Sequence, residues 1–228
     1  MFFSEYDFLL IPVIIITLWA QLQVTSRYKK YSQVMNARHM TGFDAARRIL
    51  DQNGLTAIRI EHISGQLTDH YDPKAGVIRL SDGVYNSPSV AAVGIAAHEA
   101  GHAVQYACGY FPIRIRNAVI PVTQIASKAA IPILLAGFIF SIEPLVNIGI
   151  ILYSAMLVFQ MITLPVEFNA SRRAVRIIGD SDYLSAEELK GVKKVLTAAA
   201  MTYVAAMLST LVQILRFIGM ANGGRRRR

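Results

Sequence analysis

A chain of 228 residues is long enough for one compact domain, but 54% hydrophobic content and a mean hydropathy of +0.39 are too apolar for an ordinary soluble one. The formal charge of +8 raises nucleic acid as a partner, yet the basic residues sit in short clusters beside apolar runs: Arg27-Lys29-Lys30, Arg172-Arg173 and Arg225 to Arg228. That distribution fits lipid headgroups and membrane topology and excludes nucleic acid, while a single cysteine, Cys108, excludes an intrachain disulfide framework and a CxxC zinc site.

The first apolar run, Phe8 to Val24, is about long enough to cross hydrocarbon. Its leader "MFFSEYD" is acidic and no small-x-small pattern follows, so residues 1–25 read as a retained anchor and not a signal peptide. Residues 26–117 read as a water-facing subdomain. In it Thr41 can cap a helix whose apolar positions Phe43, Ala46 and Ile49-Leu50 recur at helical spacing, with Asn53-Gly54 as its stop. "TAIRIEHI" and "GVIRLSDG" alternate as two short strands, and "DHYDPKAG" between them carries turn chemistry. From Ser89 an Ala/Val/Ile/Gly-rich helix runs to about Cys108-Gly109, ending before Pro112.

Residues 118–164 read as a hairpin of two transmembrane helices, Ala118 to Ile142 and Leu145 to Leu164, turning at Glu143-Pro144. Pro121, Gln124 and Lys128 weaken the first arm, which leaves an interfacial first half open. A polar helical segment follows at 165–194, and 195–228 holds a last apolar helix, Val195 to Ile218, with a basic tail. The expected fold is a mainly α, multi-pass cell-membrane protein with a small β-sheet and three or four transmembrane helices. The positive charge after the first span places residues 26–117 on the cytoplasmic side; if the last helix also spans, Arg225 to Arg228 end up outside against the same rule, which leaves open a last helix that packs without crossing or a first span of the opposite orientation.

Within the helix after Ser89, "AAHEAGHAVQ" sets His98, Glu99 and His102 among small apolar residues. Histidines four apart share one helix face, so both rings can reach one ion, and neutral imidazole suits zinc. Glu99 is rotated off that face and is placed to hold the attacking water. Burying three ionisable groups without partners would cost several kcal/mol, which counts against an accident of packing. The third ligand is not adjacent. An HExxHxxGxxH pattern needs glycine at 105 and histidine at 108, where the chain has Gln105 and Cys108. Cys108 reads better as a small buried residue than as a ligand. Glu167, in "LPVEFNASRRA", follows two crossings that return the chain to the face it left; a salt bridge to Arg172 or Arg173 is the other reading, and spacing alone leaves both open.

"LTDHYDP", "AAVGIAAHEAGHAVQ", "LPVEFNASRRA" and "MTGFDAARRIL", with the flanking apolar helices, resemble the bacterial membrane neutral zinc metallopeptidases of the YugP-like group, along essentially the whole chain. That group is similar in turn to the HtpX-like and CAAX-processing gluzincin proteases. The resemblance implies a zincin-like metalloprotease core, one zinc ion per chain held by His98, His102 and Glu167, and catalysis by Glu99. Those relatives commonly carry an aspartate soon after the glutamate to support a ligand histidine; here Asn169 and Ser171 occupy nearby positions and can hydrogen-bond one without charge.

The implied activity is that of an integral membrane zinc metalloendopeptidase acting on a protein or peptide substrate, a membrane protein included. His70, Tyr71, Tyr106 and Arg173 are the candidates for oxyanion or substrate contact; His70, beside Asp69 and Asp72, also reads as a turn residue, and His39 and His62 as surface residues. By the same resemblance, a sheet edge at "GVIRLS" would bind extended substrate by strand addition. Two alternatives are an intramembrane site-2-like protease in which Ser89–Ile113 is itself a span, and a non-catalytic zinc-containing membrane scaffold or chaperone partner. Against the first, no aspartate occurs between Gly83 and Gly179; against the second, a closed structural site needs a fourth ligand and gives Glu99 no role. Cobalt or manganese could occupy the same ligands in vitro.

Overall fold

Helices α1 (Leu10–Tyr31) and α2 (Gly42–Gln52) lead to strands β1 (Arg59–His62), β2 (His70–Asp72) and β3 (Val77–Leu80), followed by α3 (Val90–Ala107), α4 (Phe111–Ile139), α5 (Glu143–Asp180) and α6 (Ala186–Arg225). This computed structural model describes residues 6–181 and 183–225, without the side chains of 223–225. Glu5 of the acidic leader and Arg226 to Arg228 of the basic tail lie outside the described residues. The chain forms two compact units: one draws on α1 up to Gln21, Ile115–Leu164 and α6 from Thr202, the other on Leu22–Arg114 and Pro165–Met201.

In the first unit the large apolar side chains are left on the outside. Ile11 of α1, Ile125 of α4 and Ile151 of α5 are 66, 72 and 69% exposed, a pattern that water would penalise and lipid tails would not. Four helices among the described residues are long and apolar enough to cross a membrane: Asp7–Tyr31, Phe111–Ile139, Glu143–Asp180 and Ala186–Asn222. Lys128 and Gln124 of α4 are exposed, where a lysine can extend its amine toward headgroups. Leu134, Val146 and Phe217 form an internal cluster, and the Arg216 guanidinium donates to Asp7 across 2.6 Å.

The second unit has an enclosed core. Thr41 caps α2 through a reciprocal box: its hydroxyl oxygen accepts the Asp44 N–H, and Asp44 accepts the Thr41 N–H. Ala45, Ala46, Ile49 and Leu50 on one α2 face are then fully buried against α3 and the sheet. The sheet order is β1-β3-β2, with β1 parallel and β2 antiparallel to β3. β2 falls inside the stretch whose composition reads as a turn. Three residues are too few to show alternation, and the turn chemistry is real but lies one step later: the Asp72 carboxylate accepts the Lys74 and Ala75 N–H groups. Since β3 is paired on both sides, "GVIRLS" offers no free edge; the edges belong to β1 and β2.

α3 is capped by Ser89, whose hydroxyl accepts the Ala92 N–H, and ends at Cys108. Thirteen of its eighteen residues are buried in this unit, Val90, Ala97 and Ala100 completely, and α3 is not among the helices suited to crossing a membrane. That removes the main support for the intramembrane alternative. The polar segment after Leu164 does not begin a new helix: α5 runs unbroken through Pro165 and carries Glu167 in the same rod as the second arm of the apolar hairpin.

Candidate metal centre

α3 presents His98 and His102 one turn apart, and α5 presents Val166, Glu167, Ala170, Ala174 and Ile178 as a buried stripe at helical spacing. The two helices approach closely because residue 101 lacks a side chain: a Cβ there would stand 2.8 Å from the Ala170 carbonyl oxygen. This approach sets the reach of Glu167, which is 4% exposed. Its Oε2 lies 3.4 Å from His98 Nε2 and 3.6 Å from His102 Nε2, and the two Nε2 atoms are 3.1 Å apart.

Three atoms able to act as acceptors therefore face one another. Ligands 2.0–2.1 Å from a tetrahedral zinc ion are separated by about 3.3 Å, and the three observed spacings bracket that value. Among the described residues, this is the group of three or more His, Cys, Asp or Glu side chains that could hold a metal ion. The electrostatics agree: burial disfavours the charged form of His102, but hydrogen bonding to Glu167 and the Glu99 and Glu167 charges outweigh it and raise its pKa. The arrangement draws positive charge inward.

Around the triad sits a layer of oriented polar groups. Ser171 Oγ lies 3.1 Å from His98 Nδ1, one helical turn after Glu167. Gln105 Oε1 lies 3.0 Å from His102 Nδ1, and its amide nitrogen donates to the Val166 carbonyl (2.8 Å) and to Asn169 Oδ1 (3.0 Å). Ser171 thus meets a histidine directly, whereas Asn169 reaches one only through Gln105. Sequence reasoning missed Gln105. Its signal was present: a polar residue three positions after His102 in a stretch otherwise made of small apolar residues.

Glu99 is 9% exposed, and its Oε2 accepts the Tyr71 backbone N–H at 3.0 Å. The "LTDHYDP" segment is built to make this contact. Asp69 anchors it by accepting the Ser81 N–H and hydroxyl (2.7 and 2.9 Å), and β2 then lays Tyr71 beside α3. The Tyr71 and Tyr106 rings meet edge to face at 5.5 Å. Burial, the proximity of Tyr106 and the Asp72 charge push the Tyr71 phenol up from its usual range.

The remaining candidates are engaged elsewhere. His70 faces the Thr68 carbonyl (2.8 Å) and Arg79 (3.4 Å). Arg173 donates to Asn169 Oδ1 (2.8 Å) and to the Cys108 sulfur (3.6 Å); it does not pair with Glu167. Cys108 lies outside the triad and, contrary to the buried position expected of it, is exposed, because it caps the C-terminal end of α3 where the helix leaves the core. His62 pairs with Asp82 at 2.7 Å at the surface, and His39 is exposed.

A family model described as "putative neutral zinc metallopeptidase" matches residues 6–222. The chain belongs to that family. It is also 46% identical over 220 residues to the Bacillus subtilis (strain 168) protein named "Putative membrane protease YugP", an alignment covering 96% of this chain and 98% of that one. No solved structure matches the chain. Membership of a zinc metallopeptidase family, four apolar helices among the described residues and a His-His-Glu cluster with a buried carboxylate point in one direction.

Proposed function

We propose that the chain is an integral membrane zinc metalloendopeptidase with His98, His102 and Glu167 as metal ligands, one zinc per chain, and Glu99 as general base. The observation that carries this is the triangle of two imidazole nitrogens and one carboxylate oxygen at zinc-ligand spacing. When bound, zinc polarises the scissile carbonyl and acidifies water. Glu99 takes the proton from the attacking water and passes it to the leaving amine. The Tyr71 N–H donates to Glu99 Oε2 and so helps to orient the carboxylate.

β3 is paired on both sides, so strand addition of an extended peptide falls to an edge strand, β1 or β2, in place of β3. Among the four oxyanion and substrate candidates, Tyr71 and Tyr106, in edge-to-face contact, adjoin the strand that holds Glu99, whereas Arg173 and His70 are tied to other groups. The positive charge following α1 supports a multi-pass cell-membrane protein with its active site on the cytoplasmic side.

Glu99→Ala in the detergent-purified chain tests the assignment. Casein hydrolysis should fall by about 10²–10⁴-fold, the usual contribution of a general base, while zinc stays near one per chain. Unchanged hydrolysis removes Glu99 from the chemistry.

A further inference from the structure

We infer that Gln105 is a positioning residue that locks His102 in the tautomer whose Nε2 lone pair faces Glu167; the inference rests on the metal-site reading above. The Arg173 Nε can only donate, so Asn169 must turn its oxygen toward it, across 2.8 Å. The Val166 carbonyl can only accept. Gln105, 3.0 Å from Asn169 Oδ1 and 2.8 Å from Val166 O by the same atom, must present its NH2 group to both. Its oxygen is then left pointing at His102 Nδ1 at 3.0 Å, and that nitrogen must carry the proton and donate it.

A neutral imidazole has one N–H, so His102 Nε2 is left as a bare acceptor aimed at the triad. Gln105 has no freedom to do otherwise. It is fully buried, its amide oxygen and both amide hydrogens are used, and a flip would set its oxygen against the Val166 carbonyl and Asn169 Oδ1. Its two roles separate by atom: the nitrogen ties α3 to α5, and the oxygen orients a ligand.

That separation makes the test. Zinc affinity is measured by competition with a chromogenic chelator on the full-length, detergent-purified chain, alongside thermal unfolding of the metal-free form. Gln105→Met removes both roles, and Gln105→Glu, buried and so in its neutral acid form, keeps an acceptor for His102 Nδ1 and one O–H donor for Val166 while losing the donor to Asn169. Both should unfold more easily than wild type. Zinc affinity should drop about 10–100-fold in Gln105→Met, the usual cost of losing a partner behind a ligand histidine, and stay within about threefold of wild type in Gln105→Glu. Equal weakening in the two variants, or no weakening in Gln105→Met, overturns the orienting role and leaves only a structural tie.

If Gln105→Met does not fold, Asn169→Ala is the second reading. It releases one of the two acceptors holding the amide and should weaken zinc about tenfold, the low end of the usual cost of disturbing a partner behind a ligand histidine; unaltered affinity overturns the relay. His102→Ala distinguishes the two levels of the argument, because a wild type that holds zinc no better than His102→Ala sinks the metal site itself, whatever Gln105 does.

Discussion

α3 and the first half of α5 are both apolar helices, and they are apolar in different ways. α3 is mostly alanine, valine and glycine and is wrapped by protein, with ionisable groups inside the wrapping. α5 from Glu143 to Leu164 carries Ile148, Ile151, Val158 and Met161 as exposed large side chains and buries little. Small residues let helices approach until polar side chains can meet across them, whereas large ones on an outward face satisfy only a hydrocarbon solvent. Side-chain size, more than mean hydropathy, separates a helix that holds a site from one that crosses a membrane.

The severest way to break this contrast is to leave the ionisable groups of α3 without compensation. Glu167→Ala should lose zinc during dialysis against a chelator that leaves wild type near one ion per chain, and Cys108→Ser should behave as wild type, since Cys108 lies outside the triad. Metal content by atomic absorption reads both; full retention in Glu167→Ala would reassign the third ligand. The raised pKa of His102 adds a direction. Protons compete for its Nε2 more strongly than for a free imidazole, so zinc is held most tightly at alkaline pH and its affinity declines as pH falls below that raised pKa.

The outward face of α5 offers the next test. Ile151→Lys puts a charge into the 143–164 apolar run at a 69% exposed position and should cost membrane insertion about 3 kcal/mol, with Ile151→Leu neutral. The inserted fraction of the chain in microsomes measures this. An unaffected Ile151→Lys would mean that the exposed face meets water.

Much of this was legible in the sequence because the signals are local. The i, i+4 histidines, the Thr41 cap and the four long apolar runs depend on neighbours within a few residues. β2 was not legible: three residues held by pairing with β3 and by Asp69 bonding Ser81 twelve positions away leave no periodicity to read. The continuity of α5 through Pro165 was hidden as well, because a proline and a drop in hydropathy both signal a break that the packing of Ala170 on Gly101 overrides. Gln105 was visible as an anomaly, but its meaning required Val166 and Asn169, sixty residues onward, to be placed beside it.

The contrast can be sharpened inside α3 by two substitutions of identical chemistry. At Gly94 an added Cβ would meet Val192 Cγ1 at 3.1 Å, the end of a side chain that can yield by a few tenths of an ångström. Alanine is favoured over glycine within a helix by about 1 kcal/mol, so Gly94→Ala should come out close to neutral in thermal unfolding. At Gly101 the same methyl would stand 2.8 Å from the Ala170 carbonyl oxygen, which belongs to the α5 backbone and can withdraw only if the helix moves. Gly101→Ala should therefore destabilise by about 1–3 kcal/mol despite its better helix propensity, the usual cost of overpacking. Zinc affinity should fall with it, because the shifted helix carries Glu167. If Gly101→Ala and Gly94→Ala proved equally harmless, close approach of α3 and α5 would not be what holds the carboxylate at the imidazoles.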